Sequence, residues 1–180
     1  MVYVLLGTGF EETEAIAPID LLRRAGVEVA TVGINGKTVY GGHGIGVVAD
    51  MTLEEMDLSK MTMIVLPGGL GGVAPIRGSK QAMDAIAWAH RNGCYVAAIC
   101  AGPTVLADLG ITDGRHATCY PGCENAMGSA VMAENAPCIT DGKLITGTSA
   151  GCAVPFGLAL IAALKGEAAA KTVAEQIVIR

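Results

Sequence analysis

Aromatic residues are scarce: one Trp, two Phe and four Tyr make up 4% of 180 residues, although 52% of the chain is hydrophobic. A core made from such a chain has to be built from Val, Ile, Leu, Ala and Met, the mix that fills parallel sheets covered by helices. Positive charge is also thin, with 12 Lys and Arg against 17 Asp and Glu and a net charge of −5. The basic residues are scattered, so no long cationic surface is available to neutralise phosphates, and nucleic acid is not an expected partner. No apolar run reaches the ~20 residues that cross a bilayer as a helix, so no membrane partner is expected either. Met1 to Gly7 is apolar but lacks a basic leader and a small-residue cleavage pattern, and it reads as a first strand of a cytoplasmic protein.

Cofactor signatures are missing as well. Gly41-Gly42-His43-Gly44 and Gly68-Gly69-Leu70-Gly71-Gly72 match neither a dinucleotide fingerprint nor a Walker loop, so no cofactor is expected. Cys119 and Cys123 lack a second ligand pair at zinc-finger spacing, His116 does not supply one, and no metal is expected. The six cysteines, Cys94, Cys100, Cys119, Cys123, Cys138 and Cys152, are irregularly spaced, and a chain of this size needs no disulfide staples. Free thiols are the expectation.

What is present is an alternation of apolar runs and amphipathic segments over one domain, 1–180. Strands are expected over Val2 to Leu6, Val27 to Val32, Met61 to Leu66, Cys94 to Ile99, Ala117 to Tyr120, Ser129 to Ala133 and Lys143 to Thr146. Helices are expected from Glu11 to Ala25, with Pro18 kinking or restarting the first, and over Ser79 to Arg91, Ala101 to Leu109, Cys152 to Leu164 and Glu167 to Ile177. The Gly-rich stretch Lys37 to Asp50 suggests short strands or a hairpin. The pattern predicts an α/β fold: a mainly parallel sheet with helices on both faces.

In such sheets ligands bind beyond the carboxyl ends of the strands. Three segments lie there: Gly7-Thr8-Gly9 leading to Glu14, Pro67-Gly68-Gly69, and Ala98-Ile99-Cys100-Ala101-Gly102. The last has the form small-x-nucleophile-x-Gly, the thiol analogue of a hydrolase elbow, whose small neighbours permit a tight turn. The alternative for a cysteine ending an apolar strand is a buried, inert thiol. On the catalytic reading Cys100 is the nucleophile, with its pKa lowered by the helix that starts beneath it. The N–H groups of Gly69 and Ala101 then form an oxyanion hole. Glu14, if it points inward, is a carboxyl whose pKa burial raises until it can give and take a proton.

Glu11-Glu12-Thr13-Glu14, Arg23-Arg24-Ala25-Gly26, Val65-Leu66-Pro67-Gly68-Gly69, Ala97-Ala98-Ile99-Cys100-Ala101-Gly102-Pro103-Thr104 and Ile145-Thr146-Gly147-Thr148-Ser149-Ala150-Gly151 together resemble the ThiJ/PfpI superfamily. Within it they resemble the branch containing the parkinsonism-associated protein. The resemblance implies a flavodoxin-like sandwich of the class I glutamine amidotransferase-like type, a homodimer, and a reactive Cys100 beside Glu14. It also implies a cofactor-free glyoxalase or deglycase, a hydro-lyase or hydrolase acting on small aldehydes or glycated substrates, with an oxidative-stress sensor or chaperone-like protein as the alternative. Ala101, where the protease-like branch has a histidine, argues against a Cys-His peptidase. Tyr120 takes the place of another expected histidine, Ala150 that of an arginine, and both Tyr120 and His43 are candidates to line the substrate. By the same resemblance His43 occupies the position of an arginine that reaches toward the partner subunit's cysteine.

Overall fold

A computed structural model of the chain describes residues 1–133 and 135–179. In chain order the elements are β1 (Val2–Leu6), α1 (Glu12–Arg24), β2 (Val29–Gly33), β3 (Thr38–Tyr40), β4 (Gly46–Val48), β5 (Met51–Thr52), β6 (Met63–Leu66), α2 (Leu70–Gly78), α3 (Lys80–Arg91), β7 (Tyr95–Ile99) and α4 (Pro103–Asp108). There follow β8 (His116–Ala117), β9 (Val131–Met132), β10 (Cys138–Asp141), β11 (Leu144–Gly147), α5 (Ala153–Lys165) and α6 (Glu167–Gln176). Seven strands form one sheet in the order β10-β11-β7-β6-β1-β2-β5. Its pairings are parallel except for β10, which runs antiparallel to β11.

The continuous apolar runs are explained by burial on both faces. Because side chains alternate along a strand, Tyr3 and Leu5 of β1 join Ile64, Leu66, Val96 and Ala98 under Val73 of α2, Ile86 of α3 and Val105 of α4. Val2, Val4 and Leu6 point the other way, with Met63, Val65, Ala97 and Ile99, under Leu22 of α1, Phe156 of α5 and Val173 of α6. A sheet with helices on both faces is what the alternation of segments predicts. The topology then places the site: strands add outward in both directions from the β1–β6 boundary, so β1, β6 and β7 are neighbours and the three segments that follow them meet at one edge.

Several details differ from expectation. α1 runs without interruption through Pro18, whose missing N–H leaves the Glu14 carbonyl without its helical donor. Pro67-Gly68-Gly69 does more than close a strand, because α2 follows directly despite holding Gly71, Gly72 and Pro75. The glycines are there for contact: a Cβ on Gly72 would lie 2.5 Å from Phe10 Cα, so α2 packs backbone to backbone against the loop after β1. β8 and β9 are two residues each and pair with one another outside the main sheet, rather than forming the longer strands over Ala117 to Tyr120 and Ser129 to Ala133. β10 was not anticipated. The hairpin between Lys37 and Asp50 forms as β3 and β4, and β5 continues to the sheet edge.

Candidate active site

Cys100 is the residue after β7, and its φ is 64°, the left-handed region that costs a non-glycine residue about 1–2 kcal/mol. The surroundings enforce this conformation. Cys100 N donates to Gly147 O at 2.9 Å, its carbonyl accepts Tyr120 N at 2.8 Å, and Gly102 N closes the turn onto Ile99 O at 2.9 Å. A Cβ on Gly102 would lie 2.7 Å from Leu66 O, which is why the elbow carries glycine there.

Glu14 approaches from the first turn of α1. Glu11 caps that helix, its Oε2 accepting Glu14 N at 2.7 Å, and Glu11 N donates to Gly68 O at 3.0 Å. The Glu14 side chain is buried, with 1% of the residue exposed. Gly68 N donates to its Oε2 at 2.8 Å, while Oε1 is buried with no partner in hydrogen-bond geometry. Gly68 has no room for a side chain: a Cβ would lie 2.6 Å from both Cys100 Cβ and Glu14 Oε2.

Burial pushes the Glu14 carboxyl up to about 7, against the pull of the Cys100 thiol and Gly68 N–H, with Glu11 adding to the rise. Cys100 moves the same way. Burial first, and then the Glu14 charge, push its thiol up to about 12, while the N–H groups of Gly69 and Ala101 favour the thiolate. The expectation that a helix N-terminus lowers this pKa is therefore corrected. α4 has only six residues and begins three positions beyond Cys100, whereas desolvation and a neighbouring carboxylate act directly on the sulfur. Thiol and carboxyl compete for one negative charge in a buried space, so the pair gives up its first proton near pH 7 and holds the second well above that.

The structure thus brings together Cys100, Glu14, Gly69 and Ala101. Tyr120 joins them through its backbone, with its side chain half exposed. His43 sits on the β3–β4 turn, where its Nδ1 lies 2.8 Å from Glu12 Oε2 and its N donates to Glu12 Oε1 at 2.7 Å. Burial opposes ionisation of Glu12, but these bonds outweigh it and hold the carboxyl below its ordinary value. The His43 pKa is raised by its hydrogen bond to Glu12 and by that charge. Glu11, Glu12 and His43 are, among the described residues, the one group of three or more His, Cys, Asp or Glu donors gathered within 4.8 Å. Their atoms are already engaged in capping α1 and fastening the hairpin.

Sequence reasoning missed Gly68 as the residue that holds Glu14, although it lies in the Pro-Gly-Gly run. It also missed a cavity of about 540 Å³ beside the elbow, lined by Thr118, Cys119, Pro121, Met132, Thr148 and Cys152 among others. Cys100, Tyr120 and His43 do not line it. Thr118 and Thr148 face each other there, with their hydroxyl oxygens 2.9 Å apart. Each follows a strand, β8 and β11, and that position is the signal that could have marked them.

The sequence pattern described as the DJ-1/PfpI family matches residues 1–163. The chain belongs to this family. The protein dj-1beta of Drosophila melanogaster is 34% identical over 178 residues, covering 98% of this chain and 95% of that protein. A Pyrococcus horikoshii protein named Deglycase PH1704 is 32% identical over 148 residues, covering 81% of this chain and 87% of that one. The solved structure titled Toxoplasma gondii DJ-1, oxidized, matches with a TM-score of 0.92 at 30% identity, covering 98% of this chain and 96% of that one.

Proposed function

We propose that the chain is a cofactor-free, cysteine-dependent glyoxalase or deglycase acting on methylglyoxal, glyoxal or early glycation adducts. The observation that carries this reading is the meeting of a thiol at the end of β7 with a buried carboxyl whose pKa lies near 7. A relative named as a deglycase supports it.

With methylglyoxal, the Cys100 thiol passes its proton to the Glu14 carboxylate as its sulfur adds to the aldehyde carbon and the C=O bond opens. The Gly69 and Ala101 N–H groups stabilise the developing oxyanion, and Glu14 supplies the proton that completes a hemithioacetal. Glu14, now a carboxylate, removes the proton from that carbon, the hydroxyl proton moves to the neighbouring ketone oxygen, and Glu14 returns its proton to the adjacent carbon, leaving a thioester. Water hydrolyses the thioester, releasing lactate and the Cys100 thiol. The sum is methylglyoxal plus water giving lactate, with no external oxidant or reductant. A carboxyl poised near neutral pH suits both proton transfers. Purified protein should convert methylglyoxal to lactate without added thiol, and Cys100→Ala should lose at least a thousandfold in kcat/KM; equal turnover by the variant ends this reading.

The second reading is an oxidative-stress sensor or chaperone-like protein in which peroxide takes Cys100 to a sulfinate steadied by Glu14 and the same N–H groups. The oxidized state named for the Toxoplasma gondii relative favours keeping it. Either way, we place the chain in a reducing cytoplasm, where all six of its cysteines, which are free, would stay so. Among the described residues no helix is long and apolar enough to cross a membrane. We read it as a homodimer through the exposed Ile16 of α1 and Tyr40, Ile45 and Val48 of the hairpin that Glu12 fastens to α1. A monomer mass by sedimentation would remove that part.

A further inference from the structure

We propose that Arg77 is a positioning residue that fixes the spacing of the two N–H groups facing Cys100. The inference rests on the reading of Cys100 as nucleophile with Gly69 and Ala101 as its donors. Those donors belong to different elements. Gly69 is the N-cap of α2, and Ala101 lies between the elbow and α4. One side chain ties the two helices together.

Arg77 stands in the last turn of α2. Its Nη2 donates to Thr104 Oγ1 at 2.6 Å, and its Nε donates to Asp108 Oδ2 at 2.6 Å. Thr104 and Asp108 are four residues apart on α4, one turn, so a planar guanidinium spans both. The buried Thr104 hydroxyl has a single proton to give, and since the arginine can only donate, that proton goes to Ala101 O, at 2.7 Å. Ala101 O also accepts Thr104 N at 3.2 Å. The bonds run from the far end of the helix that Gly69 opens to the residue whose own N–H faces the sulfur. None of these bonds uses the N–H of Gly69 or Ala101, so Arg77 acts on their geometry rather than on the reacting atoms.

Stability does not account for the arrangement. The Arg77–Asp108 pair is 37% and 44% exposed, and ion pairs this open to solvent add little to folding stability. Geometry is worth more, because a displacement of about 1 Å at a catalytic group can cost as much as a hundredfold in rate.

The test compares Arg77→Met, Arg77→Lys and Thr104→Val with the unaltered protein. It reads kcat and KM on methylglyoxal, the rate constant for Cys100 alkylation by iodoacetamide at pH 8, and thermal melting as a check on folding. Met and Val should each lower kcat about tenfold with KM within about twofold. Both should slow alkylation about threefold, because the N–H groups favour the thiolate. Lys, which keeps the charge but not the fork, should recover part of the loss. If methylglyoxal is not a substrate, the proposed reaction fails while alkylation still decides the role of Arg77. Alkylation within error of the unaltered protein in both Met and Val, a loss confined to KM, or losses that Lys does not relieve and that follow melting temperature alone would each overturn the proposal.

Discussion

Cys100 at the elbow and Cys138 at the sheet edge are both half-buried thiols pushed up to about 12. Burial is the leading cause at each. Their company separates them. Cys138 opens β10, where its further neighbours are Cys152, which raises it more, and a single N–H, that of Ile139. Cys100 has two N–H groups, those of Gly69 and Ala101, that favour its thiolate, and a carboxyl that itself holds a proton near pH 7. A raised thiol pKa therefore does not distinguish an inert cysteine from a reactive one. A carboxyl able to relay protons to and from a bound substrate and donors able to hold the charge do so, and of these two thiols Cys100 has both.

The widest expected gap is in chemical reactivity. Treatment with stoichiometric peroxide, followed by alkylation and peptide mass spectrometry, should modify Cys100 on the order of a hundred times faster than Cys138. Comparable rates at the two sites would erase the comparison and take the sensor reading with it.

A sharper cut comes from Glu14→Gln, because the two roles of the carboxyl then pull in opposite directions. Removing its negative charge removes one cause of the raised Cys100 pKa, so iodoacetamide should label Cys100 several-fold faster at pH 8, with Cys138 unchanged. Turnover of methylglyoxal should fall by roughly 10²–10⁴ because the amide can neither give nor remove the proton. If labelling and turnover fell together, Glu14 would be activating the thiol rather than moving protons for the substrate.

The meeting of Cys100, Glu14, Gly69 and Ala101 was legible because each lies just beyond a strand, or in the helix that follows one, and the apolar runs marked β1, β6 and β7 clearly. Burial on both faces made those runs continuous, which is the strongest strand signal in the chain. α2 was hidden for the opposite reason. Gly71, Gly72 and Pro75 weaken every local helix preference, and the contact that makes the two glycines necessary, with Gly9 and Phe10, comes from far away in sequence. Arg77 was hidden with it. The direction of the Cys100 pKa was misread because a helix start is visible in sequence, while the depth at which the sulfur and the Glu14 carboxyl are packed is not.

The smallest expected effect is on stability. Glu14 has a folded pKa of about 7 against an ordinary value of 4.5. Below about pH 4.5 the carboxyl is protonated in folded and unfolded chains alike, and it imposes no penalty. Between 4.5 and 7 the unfolded chain ionises while the folded one keeps its proton, so the Glu14 contribution falls as pH rises. Above 7 both are ionised, and the buried charge remains as a constant cost of up to about 3 kcal/mol at the usual conversion of 1.36 kcal/mol per pKa unit. Cys100 adds nothing to this window, since its thiol is neutral in both states until pH approaches 9. Urea unfolding at pH 4.5 and pH 8 should therefore show Glu14→Gln gaining about 1–3 kcal/mol on the unaltered protein as pH rises. The same experiment on Cys138→Ala should show no such gain, because no carboxyl is among the groups that shift the Cys138 thiol. A Glu14→Gln difference that does not change with pH would mean the carboxyl is solvated in the folded chain, and the distinction between the two thiols would then rest on the N–H groups alone.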